Sequence, residues 1–107
     1  MAFEYSQNLS AVFGAAGYED VTYGEVITAR RDDGKVWEVI VDRGGQLRAT
    51  ITHRPNKPQE KFVAVLGRKA SVLSEKRTVV TVFFLLEDNN ELPEVLKAIE
   101  GAVGLAR

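Results

Sequence analysis

From Val26 to Thr52 the chain alternates apolar and polar residues through three β-branched runs, VITAR, VWEVIV and QLRATIT. Two turn signals part them, Asp32–Asp33–Gly34 and Arg43–Gly44–Gly45. A period of two over six or so residues, bounded by glycine and aspartate, predicts strands joined as hairpins. Three-residue loops at both places, each a type I turn followed by a left-handed glycine, set Ile27 against Val39 and Ala29 against Trp37. On the second hairpin they set Val41 against Leu47, Val39 against Ala49 and Trp37 against Ile51. All of these side chains then share one side of the sheet. A two-residue turn at Gly44–Gly45 would instead oppose Leu47, Ala49 and Ile51 to Asp42, Ile40 and Glu38, because a one-step slip reverses every side chain.

The other face then carries Val26, Thr28, Arg30, Val36, Glu38, Ile40, Arg48, Thr50 and Thr52. A freely solvated face reads polar throughout, so three aliphatics among threonines and arginines suggest cover by a second subunit, another segment or a ligand. Val26, Val36 and Ile40 are the candidate self-association residues. The competing explanation is that Val and Ile form strands well and that scattered exposed apolar residues are normal.

Helical periodicity brackets this region. Leu9, Val12, Phe13 and Ala16 recur at i, i+3, i+4, i+7, with Gly17 suited to end the helix, which predicts a helix from about Ser6 to Ala16. Leu92, Val95, Leu96, Ile99 and Val103 repeat the pattern after a polar Asp88–Asn89–Asn90 and with Pro93 in the first turn, predicting a second helix over about 91–103. Lys61–Leu66 reads as a strand. Thr78–Leu86 reads as a long strand apolar on both faces, hence central or covered twice, and Lys69–Glu75 is compatible with a strand or a short helical turn. The expected fold is α+β: an N-terminal helix, an antiparallel sheet of five or six strands and a C-terminal helix, the helices packed on one sheet face. At 107 residues, with no repeat or internal linker, the chain is expected to be a single domain.

The chain has no cysteine, which excludes disulfides, thiolate catalysis and cysteine-ligated metals. MAFEYSQN lacks the basic and apolar regions of a signal peptide, and the longest apolar runs are too short to span a bilayer, so no membrane contact and a cytoplasmic location are expected. The net charge of −1 conceals a polarity along the chain: residues 30–77 hold twelve Lys or Arg against six Asp or Glu, and both flanks are acidic. That basic middle raises a nucleic-acid reading, with Arg30 and Arg48 on the open face and Arg54, Lys57 and Lys61 reaching phosphates from the loop HRPNKPQEK. Aromatic platforms are missing from it, because Tyr23 and Trp37 point inward in this register. Two prolines three apart make the loop a stiff connection, whether spacer or contact arm.

Sites for chemistry are sparse. His53 is the single histidine, at a strand end, with no second histidine for zinc and no serine in a nucleophile-elbow setting. Glu19–Asp20 reads as a polar connection after Gly17. Glu25 falls on the core side opposite Val41, which calls for a cation partner, a marginal position or a break in register. The acidic clusters at Asp32–Asp33 and Glu87–Glu91 lack the spacing of a calcium loop and fit a turn and a helix start. No catalytic residue, metal or cofactor is expected. The leading expectation is a small non-enzymatic binding or adaptor protein that forms a homodimer and contacts a macromolecular partner. The alternatives are a nucleic-acid binder using residues 30–77 and a small enzyme built on Glu25, His53 or Glu19–Asp20.

Overall fold

The computed structural model describes residues 3–31, 36–51, 70–75 and 80–102. Helix α1 spans Asn8–Ala15. Strands β1 (Asp20–Tyr23), β2 (Ile27–Arg30), β3 (Val36–Val41), β4 (Gln46–Ile51), β5 (Ala70–Glu75) and β6 (Val80–Leu85) follow, and α2 spans Glu91–Ala102. The strands form one antiparallel sheet in the order β1-β2-β3-β4-β6-β5. The α+β architecture is as expected, and the segment read as strand or helical turn is strand β5 over Ala70–Glu75. The expected strand at Lys61–Leu66 lies outside the described residues.

Both helices start or stop where local chemistry requires it. After α1, Tyr18 N–H donates to Phe13 O and Gly17 N–H to Gly14 O, with Gly17 at φ 93°. This is a Schellman end, and the Tyr18 ring meets the Phe13 ring edge-on at 5.5 Å, closing it with an apolar contact. Ahead of α2, Glu91 Oε1 accepts from the Asp88 and Glu87 amides while Asp88 Oδ1 accepts from Asn90 N–H, so the two carboxylates fix the turn that leads into the helix in the manner of a capping box.

The β3–β4 hairpin follows the expected three-residue loop. Asp42 N–H donates to Gln46 O, Gly45 N–H to Asp42 O, and Asp42 Oδ1 accepts from Gly44 and Gln46. Gly45 sits at φ 84°, and a Cβ there would lie 2.5 Å from Leu86 O, so a side chain is excluded twice over. That close approach lets Leu86 N–H reach Gly45 O at 2.7 Å and ties the turn to the end of β6.

The β2–β3 register departs from the expectation by two residues: Ile27 pairs with Val41 and Ala29 with Val39. The shift brings Arg30 opposite Glu38, an opposite-charge cross-strand pair, where the expected turn would have set Arg30 against Val36. Because the slip is even, the β2 residues and residues 38–41 of β3 keep their faces. A bulge between Val36 and Glu38 corrects a second expectation, since Val36 and not Trp37 pairs with Ile51. The shift also resolves Glu25. Ile27 takes the place opposite Val41, and Glu25 moves into the β1–β2 turn, its side chain 95% exposed and 3.8 Å from Arg43 Nε. Tyr23, expected inward, lies on the edge strand at 42% exposure with its ring stacked on Tyr5 at 5.2 Å. Asp20, expected in a connection, begins β1.

One buried cluster unites Leu9, Phe13 and Tyr18 with Leu92, Val95, Leu96, Ala98 and Ile99 and with one face of the sheet. That face runs Ala29–Val39–Ala49–Val82 in one row across the strands and Ile27–Val41–Leu47–Phe84 in the next. All eight side chains are at most 1% exposed.

Candidate functional site

The opposite face of the sheet is built by the same pairing, one residue out of step. Thr22, Thr28, Ile40, Arg48, Phe83 and Ser71 are successive cross-strand partners, making one row through all six strands. Asp20, Arg30, Glu38, Thr50, Thr81 and Ser74 make the parallel row. Gln46 and Leu85 begin a third. Ile40 and Phe83 are half-buried, and Leu85 is 45% exposed.

Of the residues singled out from the sequence, Arg30 and Arg48 lie on this face and are exposed, and Ile40 lies between them. Val26 is half-buried in the β1–β2 turn and lines a shallow groove of about 500 Å³ on the same face with Asp20, Thr28, Arg30 and Glu38. Val36, expected on this face, is instead the register partner of Ile51 in a core-face row, because the bulge after it shifts the alternation. Arg54, Lys57, Lys61 and His53 lie outside the described residues.

Phe83 and Leu85 escaped the candidate set. The apolar run VVTVFFLL signalled that both faces of this strand carry hydrophobes. That Phe83 sits opposite Arg48 depends on a pairing between strands separated by about thirty residues of chain, which no local spacing encodes.

Arg31 also has a role that its basic neighbourhood concealed. It is 8% exposed, its Nη1 donates to Glu100 Oε1 at 2.6 Å and lies 3.4 Å from Ala16 O, and its guanidinium sits 5.4 Å from the Tyr18 ring centre. The side chain thus joins the end of β2 to the carboxyl end of α1 and to α2. Carbonyl and carboxylate together compensate its burial.

A second exposed cluster lies at the margin of the sheet. Arg43 stands 4.7 Å over the Tyr5 ring, which also stacks on Tyr23, and Tyr5 donates its hydroxyl proton to Gly24 O. Desolvation and the neighbouring Tyr23 hold the Tyr5 phenol above the ordinary tyrosine value. Asn89 clasps the same N-terminal stretch, accepting from Glu4 N–H and donating to Glu4 O. These contacts pin residues 3–6 across two turns.

For an acid–base site the described residues offer little convergence. Glu19, Asp20 and Glu25 are all exposed, and no group of three or more Asp, Glu or His suits a metal among the described residues. Among them, too, no helix is long and apolar enough to cross a membrane. No protein-family model matches this chain, and no curated protein is significantly similar to it.

Proposed function

We propose that the protein is a non-enzymatic binding module whose open sheet face joins two copies in a homodimer, the form in which it engages a macromolecular partner. One observation carries this reading: the row Thr28–Ile40–Arg48–Phe83, with Leu85 beside it, places aliphatic and aromatic surface at the middle of a sheet face that no described helix covers. The charge pattern favours a second copy over nucleic acid. Arg30 and Arg48 share the face with Asp20 and Glu38, and in the outer row Asp20, Arg30 and Glu38 alternate in sign. A phosphate-binding face gains affinity from uncompensated cations, whereas alternating signs suit a two-fold interface in which each patch meets its own copy.

Size sets the expected strength. Six strands about 4.8 Å apart, two of four residues and four of six and so roughly 13–20 Å long, present on the order of 500 Å² per copy, so about 1,000 Å² in total, the small end of specific interfaces. A weak, reversible dimer is what an interface of that size suits. Light scattering across concentrations tests it: the wild-type mass should double on concentration, and Ile40→Asp should remain a monomer with an unchanged circular dichroism spectrum. A wild-type chain monomeric at millimolar concentration contradicts the reading.

A further inference from the structure

We propose that the cleft between α1 and α2 is a binding site for a small amphipathic carboxylate. The cleft holds about 580 Å³, within the range of small-molecule sites. Val12 of α1 and Ala16 just after it line the cleft with Pro93 and Leu96 of α2, giving apolar walls. Its polar lining is the Arg31–Glu100 pair and Lys97. The 2.6 Å contact commits Glu100 to Arg31, so that carboxylate is not available to neutralise Lys97. Lys97 is exposed and has no ion-pair partner among the described residues.

Two cations and one carboxylate thus line an otherwise apolar slot. A ligand matching that arrangement has a hydrocarbon body to displace water from the walls and a single negative charge to meet the Lys97 ammonium. A cationic amphiphile would meet net positive charge, and a bare anion would leave the apolar walls wet. The site is separate from the open sheet face, since it lies on the helices, and it makes no use of dimerisation.

Amide chemical-shift titrations of the full chain with hexanoate, octanoate, decanoate and decyltrimethylammonium, each below its micelle concentration, test the proposal. Saturable shifts are expected around residues 12–17 and 93–100, tightening two- to fourfold per added methylene, about what burial of a methylene supplies. Decanoate should bind several-fold more tightly than the cation of equal chain length. Lys97→Ala should weaken decanoate about threefold, the effect of one exposed charge, at unchanged melting temperature. Ala15→Trp, which places an indole at the mouth of the cleft, should abolish the shifts. Should Ala15→Trp not fold, the chain-length and charge comparisons on the wild type still decide. The proposal is overturned by absence of saturation below roughly 5 mM decanoate, by equal binding of anion and cation, or by shifts centred on the sheet face.

Discussion

Phe83 and Phe84 are neighbours in one strand, yet they belong to two different surfaces. Phe84 lies in a row with Leu47, Val41 and Ile27, 1% exposed, in one buried cluster with apolar side chains of both helices. Phe83 lies in a row with Arg48, Ile40 and Thr28 on the other side of the same backbone. One face is uniformly aliphatic and aromatic and closed within the chain. The other mixes hydrophobes with balanced charge. The contrast teaches that hydrophobicity alone does not mark a core: what distinguishes the faces is whether polar side chains recur within the row.

The largest expected effect breaks the comparison most sharply. Phe84→Ala should destabilise the monomer by about 3–5 kcal/mol, through lost transfer energy and the cavity left behind, whereas Phe83→Ala should cost under about 1 kcal/mol in dilute solution. Urea unfolding at low protein concentration checks both, and similar losses at the two positions would erase the distinction.

That parity was legible in the sequence, and the reason is physical. Alternation fixes which residues share a face, and an even slip leaves the faces alone, so the two-residue error in the β2–β3 register cost only the partners and the position of Glu25. Gly45 was legible too, because a left-handed residue after a type I turn leaves little choice. Long-range features were not. Phe83 as the neighbour of Arg48, and Arg31 as the tie between α1 and α2, depend on which elements meet in space. Composition even misled at Arg31, whose place in a basic stretch concealed a buried ion pair. The basic loop residues Arg54, Lys57 and Lys61 remain an expectation from sequence.

Gly45→Ala comes next, at about 2 kcal/mol, since the left-handed φ and the Leu86 carbonyl both oppose a Cβ. Thermal melts would check it, and Gly44→Ala, whose Cβ meets nothing closer than 3.5 Å, is the matched control expected to cost far less. Glu100→Gln should cost ~2 kcal/mol by leaving the Arg31 charge buried with a weaker acceptor, while Arg30→Ala should change monomer stability by under about 0.5 kcal/mol. Adjacent arginines would then differ in the way that adjacent phenylalanines do. The smallest effect sharpens the open face alone: Arg48→Glu should leave the melting temperature of the dilute protein nearly unchanged and weaken self-association about tenfold, measured by sedimentation equilibrium.

The central claim is that the face carrying Ile40 and Phe83 meets its own copy. Isotope-filtered nuclear Overhauser spectra on a mixture of labelled and unlabelled chains report contacts between copies and no others. The account predicts cross-peaks linking Ile40 methyls, Phe83 ring protons and Leu85 methyls of different copies. Intermolecular cross-peaks confined to the α1 and α2 side chains, or none at concentrations where scattering shows a dimer, would contradict it.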